Sequence, residues 1–416
     1  MGPLLVSRPI LGIAAILPTV LFTGTYLVRG GNGLWNDFAS YWLAGRLAAA
    51  GETPFNMEAL GRLAVREGIV FDLGTGYSYP PPFAVAMVPL ASLPFAIAAT
   101  VFTTLSLLVF GIAVAAWLRD TRVWRARPEA TLLAALAAGL YPPVHGSVLF
   151  GQANLLVVGV MSLGVRHWLR EDHRRDVVGG ILIGLVGIVK VAPLALAVPM
   201  ALASRFRAVL GVIAGAGGAM LAAWAVAPFA FDGLGRLGRL GEPDPFWTNQ
   251  SINGLASRMT LETDRTVPLL TALDPAILAA ALLLALGIAT LAILVRGRAR
   301  LGTPAGVAWA IALTVVAAAA GAPKNSFWNQ APALIGAGLL LAPIAPGSLR
   351  RSQRFLLMAW FALAVVQWWL DSLGSGLRSL GPASAVMSSV ALIGLLALWA
   401  AVASRMLHPD WYPADR

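Results

Sequence analysis

Long apolar stretches, separated by short polar or arginine-bearing segments, run along almost the whole chain. A helix needs about 20 apolar residues to cross the hydrocarbon core of a bilayer. On that measure the pattern predicts full spans at 10–28, 95–118, 130–144, 153–168, 208–229, 274–295, 305–321, 330–345, 354–370 and 383–404. Several are short, which predicts tilted or broken helices around a cavity. The stretch 177–203 is apolar but holds Lys190 and Pro193 at its centre, with arginines on both flanks. It predicts two short helices, each roughly 20 Å long at 1.5 Å per residue, that enter and leave by the same face. The pattern therefore predicts an all-α polytopic bundle of about twelve helices, with 1–416 as one integral-membrane domain.

Two polar segments are long enough to carry structure, at about 29–94 and 230–272. In the first, Asn36 or Asp37 can cap a helix that runs to Ala50 and stops at Gly51. Phe38, Tyr41, Trp42 and Gly45 share one of its faces. A second short helix starts at Asn56, with Glu58 in its first turn, and ends at Gly68. Both read as amphipathic helices lying in the membrane interface. The segment closes on Tyr79-Pro80-Pro81-Pro82, where proline stiffens the return into the bilayer.

Composition narrows the class further. The chain is 58% hydrophobic and 12% charged, about half the charge of a soluble domain, and its mean hydropathy is +0.77. Soluble enzymes, nucleic-acid binders and disordered proteins are excluded. The net charge of +11 comes from 28 Arg and two Lys. Most of the arginines cluster between spans, as at Arg119 to Arg127, Arg166 to Arg175, Arg296 to Arg300 and Arg350 to Arg354. With the N-terminus inside, all four clusters and both termini fall on the cytoplasmic side of the cell inner membrane. The two long loops then face outward. The first apolar run lacks a small-residue cleavage site, so it reads as a retained span. Cysteine is absent, which excludes disulfides and thiol chemistry.

Few residues can carry chemistry. Asp37 lies just beyond the first span, among Trp35, Tyr41 and Trp42. It suits a helix N-cap beside an aromatic belt and equally a general base where a lipid headgroup meets water. Lys190 is the one lysine inside an apolar segment, where an unpaired charge costs several kcal/mol. It either snorkels or binds an anion such as a lipid phosphate as a point charge. The run Phe246 to Gly254, followed by Arg258, sets amides and hydroxyls behind Trp247. That suits a sugar surface, or a polar loop closed by its own turn bonds. Shorter outer turns add Gln152, Asn154, Lys324, Asn325, Trp328, Asn329 and Gln330. The acidic pairs Glu242/Asp244 and Glu262/Asp264 are no metal set, and no zinc, nucleotide or phosphate-loop pattern occurs. Neither a metal nor a cofactor is expected.

Five segments in order carry a resemblance. They are Asn36-Asp37-Phe38-Ala39-Ser40-Tyr41-Trp42-Leu43-Ala44-Gly45-Arg46, Tyr79-Pro80-Pro81, Phe150-Gly151-Gln152-Ala153-Asn154-Leu155, Gly187-Ile188-Val189-Lys190-Val191-Ala192-Pro193 and Asn249-Gln250-Ser251-Ile252-Asn253-Gly254. From residue 10 to about 330 the chain resembles glycosyltransferase family 87. The resemblance implies the GT-C membrane fold and the chemistry of polyprenyl-phosphate-mannose-dependent α-mannosyltransferases of bacterial envelopes. It also implies Asp37 as catalytic base and Lys190 beside the donor phosphate.

The expected function is an inverting hexosyltransferase at the outer face, moving a sugar, with mannose implied, from a polyprenyl phosphate to a lipid or glycan acceptor. Arg258 and Lys324 are expected to join Lys190 on the phosphate. Tyr41, Gln152, Asn154, Trp247, Asn249, Gln250 and Asn329 are expected to meet the sugar or acceptor. Family members often carry a His pair after a Ser-Trp element, where this chain reads Ser326-Phe327-Trp328-Asn329-Gln330. Two alternatives stand beside this reading: a transporter or flippase, and a catalytically silent envelope-assembly protein.

Overall fold

The computed structural model describes residues 7–28, 34–69, 76–120, 128–170, 173–341 and 349–408. Among them the chain is helical, and its one extended pairing is an isolated antiparallel bridge between Asn249 and Ser326. Among the described residues, seven helices are long and apolar enough to cross a membrane: α1 (Arg8–Val28), α5 (Phe95–Asp120), α11 (Phe206–Val226), α13 (Pro275–Arg296), α14 (Pro304–Gly321), α16 (Arg351–Ser372) and α18 (Val390–Leu407). The protein is a multi-pass membrane protein.

All ten spans read from the sequence are helical, but three fall short of that length. The stretch at 130–144 becomes α6 (Pro128–Leu140) and α7 (Pro142–Leu149), bent by 48° and counted as an eighth span only when joined. Pro142 and Pro143 lie at the bend, where proline lacks the N–H that would continue the ladder. His145 to Leu149 are helical beyond it. The stretch at 153–168 becomes α8 (Asn154–Trp168), of 15 residues, and that at 330–345 holds α15 (Ala333–Leu341), with 342–345 outside the described residues. The count of about twelve is therefore approximate.

The predicted break at Lys190 is present. Helix α9 (His173–Gly187) stops short of Lys190, and the chain resumes as a 3-10 turn (Ala192–Leu196) and α10 (Ala197–Leu202). Helices α9 and α11 meet backbone to backbone. A Cβ on Gly180 would lie 2.2 Å from Ala208 O, and one on Gly215 2.4 Å from Ile181 O. Gly184 and Gly211 are as close, so the two glycine pairs form a small-residue seam of the kind that joins membrane helices. Gly215→Leu should force these helices apart at about 1–3 kcal/mol, read as a lowered Tm of the purified protein.

In the first long loop, α3 (Met57–Glu67) follows its sequence signals. Asn56 Oδ1 caps Ala59 N, Gly68 ends the helix at φ 65°, and Ala59, Leu60, Leu63 and Ala64 are buried on one side. Helix α2 (Asn36–Ala49) departs from the expected interfacial helix. It is buried on nearly every side, and Gly45 lets it approach Met87 and Ala91 of α4 (Pro81–Ala91). Neither Asn36 nor Asp37 caps it. The cap is Trp35, with no side-chain cap bond, and Asp37 sits in the first turn.

Candidate active site

The start of α2 is tied to the turn between α7 and α8. Trp35 N donates to Leu149 O at 2.7 Å, and Asp37 N and Phe38 N donate to Phe150 O at 3.0 and 3.1 Å. Trp35 adopts φ 63°, a left-handed conformation that costs a non-glycine residue about 1–3 kcal/mol and tends to cluster at functional sites. Gly151, at φ 66°, is required there: a Cβ would lie 2.7 Å from Phe38 Cβ. This junction brings Gln152 to Asp37. Gln152 Nε2 donates to Asp37 Oδ2 at 2.5 Å, while its Oε1 lies 2.8 Å from the Tyr41 hydroxyl and 3.1 Å from that of Tyr79. Burial, with the negative charge of Asp37 adding to it, raises both phenol pKa values well above the ordinary tyrosine range. Both hydroxyls are therefore protonated at neutral pH.

Lys190 reaches the same place from the α9 break. Its ammonium donates to Asn329 Oδ1 at 2.7 Å, lies 6.0 Å from the centre of the Tyr79 ring and is within electrostatic reach of Asp37. Asn329 belongs to the 3-10 turn Phe327–Gln330. Asn154, at the start of α8, supports it from below. Its Nδ2 lies 3.1 Å from Asn329 Oδ1 and 3.0 Å from both Ser147 Oγ and Trp328 O. Asn154 Oδ1, fully buried, has no hydrogen-bond partner among the described residues. Asp37, Tyr79, Lys190 and Asn329 are half-buried, whereas Tyr41, Gln152 and Asn154 are buried beneath them. The arrangement sets a carboxylate and an ammonium within electrostatic reach of each other, over fixed amides and phenols. It can accept a proton at one point and hold an anion at the other.

The remaining sequence candidates gather elsewhere, joined to this cluster through the turn at 325–330. Arg258, on α12 (Ile252–Thr260), is fully buried and donates to Phe246 O, Asn249 O and Ser389 Oγ. Burial lowers its pKa to about 10, which still leaves it charged at neutral pH. Asn249 Oδ1 accepts from Asn325 N and Ser251 Oγ, and Gln250 Nε2 donates to Trp247 O and Ser388 O. Together they knot the second long loop to the residues before α18. Lys324 pairs with Asp244 at 3.5 Å, and the Trp247 ring is covered by the Arg265 guanidinium at 4.3 Å. Arg258, Lys324, Trp247, Asn249 and Gln250 are thus engaged within the protein rather than at Asp37. Sequence reasoning missed Tyr79 and Ser147 as members of the cluster. The Tyr-Pro-Pro run that pins Tyr79 beside α4 was the available signal. No group of three His, Asp or Glu side chains suited to a metal occurs among the described residues.

The sequence profile of glycosyltransferase family 87 matches residues 77–319. The match takes in Tyr79, Gln152, Asn154, Lys190 and the Asn249-Gln250 loop. It begins after Asp37 and ends before Asn329, so it is narrower than the resemblance read from residue 10 to about 330. No curated protein and no solved structure matches the chain. With more than half of its length inside that profile, on a multi-pass helical fold, the chain belongs to glycosyltransferase family 87 and is a membrane glycosyltransferase.

Proposed function

We propose that this glycosyltransferase takes a hexose from a polyprenyl phosphate and passes it to a hydroxyl of a lipid or glycan acceptor, with inversion at the anomeric carbon. Asp37 removes the proton of the acceptor hydroxyl as its oxygen bonds to the anomeric carbon. The bond from that carbon to the phosphate oxygen breaks, and polyprenyl phosphate leaves with the electron pair. Lys190 lies against the phosphate, whose negative charge grows as the bond breaks. Asn154 fixes Asn329, and Asn329 orients the lysine and offers its amide to sugar hydroxyls.

The observation that carries this reading is the convergence of Asp37 and Lys190, two candidates from distant segments, at one half-buried cluster. Asp37 stands in the first turn of α2, one turn from Tyr41, with its carboxylate held by Gln152. The arginine clusters support the outer side of the inner membrane for this site. Mannose is the first sugar to test.

Purified protein incubated with polyprenyl phosphates bearing labelled mannose, glucose or galactose should release polyprenyl phosphate with one of them, in the presence of a hydroxyl acceptor. Transfer from a nucleotide sugar, with every lipid-linked donor inert, would overturn the reading.

A further inference from the structure

We infer that Gln152, braced by the hydroxyls of Tyr41 and Tyr79, is the positioning residue that sets the Asp37 carboxylate for proton abstraction. The inference rests on Asp37 being the base, as proposed above. Gln152 was expected to touch sugar or acceptor, yet both ends of its amide are engaged inside the protein. It is only 6% exposed, which leaves little of it for a substrate hydroxyl to reach.

The amide has one workable orientation. The Tyr41 and Tyr79 hydroxyls lie 2.8 Å from each other and 2.8 and 3.1 Å from Gln152 Oε1. Each hydroxyl carries one proton to donate. Whichever way the bond between the two hydroxyls runs, at least one phenolic proton falls on Oε1. Nε2 is then the end that faces Asp37, and it donates to Oδ2. The flipped amide would set its carbonyl dipole against the carboxylate, oxygen to oxygen.

Two consequences follow for the base. Tying Oδ2 to a fixed donor sets the plane of the carboxylate, so the acceptor hydroxyl meets it in one geometry. A hydrogen bond to the charged form also favours that form, which keeps Asp37 ready to accept a proton over a wider pH range. The bracing is rigid because Tyr41 is buried, with its ring packed at 4.8 Å from that of Tyr79 and 5.0 Å from that of Phe83. Tyr79 is held in turn by the stiff proline run that opens α4.

The test compares Gln152→Leu, Tyr79→Phe and Asp37→Asn with the parent chain in nanodiscs, measuring transfer against pH. Gln152→Leu should lower kcat by about 10- to 100-fold and leave the donor KM within about threefold. Its acidic limb of kcat/KM should move up by about one pH unit, because losing a bond to the charged form raises the pKa of the base. Tyr79→Phe should shift the limb the same way but less, since Tyr41 still donates. A Gln152→Leu variant with an unmoved limb, or with a raised acceptor KM and intact kcat, would overturn the inference and make Gln152 a packing or binding residue. Should Gln152→Leu fail to fold, an unmoved limb in Tyr79→Phe overturns it equally. Asp37→Asn separates the two claims: if it stays active, the base assignment falls and the positioning role falls with it. If Asp37→Asn is inactive while the limbs of both other variants stay put, only the positioning role falls.

Discussion

Asp37→Asn is expected to abolish sugar transfer while leaving the fold and donor binding in place. The amide has the size of the carboxylate and can still turn its oxygen toward Gln152 Nε2, which donates to Asp37 at 2.5 Å. Helix α2 has its N-cap at Trp35, and the backbone bonds from Trp35, Asp37 and Phe38 to the α7–α8 turn do not depend on the carboxylate. An amide, however, cannot take the acceptor's proton. Loss of a general base lowers the rate by about 10²–10⁴-fold. The checks are the transfer rate with labelled donor, the Tm, and a donor titration on the same preparation. Activity above about a tenth of the parent, with Tm unchanged, would show that this factor was never present.

Lys190→Gln is expected to weaken binding of the lipid-linked donor and to slow transfer further than the weakened affinity accounts for. Ground-state binding and catalysis separate here because the phosphate gains charge only as the glycosidic bond breaks. Removing one preorganised donor from a developing anion lowers kcat by about 10²–10³-fold. Gln can still bond to Asn329, which now fixes Lys190 Nζ at 2.7 Å, so local order survives while the charge is lost. Lys190→Arg keeps the charge and should retain part of the rate, limited by the larger planar guanidinium. Thermal-shift titrations with a non-hydrolysable donor analogue, run beside rate measurements, give both quantities. Snorkelling makes the opposite forecast: Lys190→Leu would be more stable, with donor affinity unchanged. That result would remove Lys190 from the site.

Helix positions were largely open to reading because continuous apolar runs and local caps are properties of neighbouring residues. The cap at Asn56, the stop at Gly68 and the break around Lys190 all appear where the pattern placed them. Local signals failed at α2, whose Asn36-Asp37 start resembles a cap but is instead pinned by backbone bonds to residues more than a hundred positions away. They also missed the bend inside 130–144, since hydrophobicity alone does not show where a proline interrupts a helix.

By itself the sequence determined the membrane class, the family and the two charged residues worth suspecting. The class is a matter of composition and periodicity, Lys190 of a rare charge in an apolar stretch, and the family and Asp37 of short motifs in a fixed order. Tertiary structure decided which amides serve the reaction centre and which serve the scaffold. Gln152 and Gln250 are alike as residues, and both follow an aromatic in a polar turn. One meets Asp37 and two tyrosines, while the other is tied to Trp247 O and Ser388 O. Arg258 likewise carried the right charge for a phosphate, yet it closes a buried knot on Phe246, Asn249 and Ser389. An amide or a guanidinium bonds to whatever partner the fold brings within about 3 Å, and that partner is set by chain segments distant in sequence.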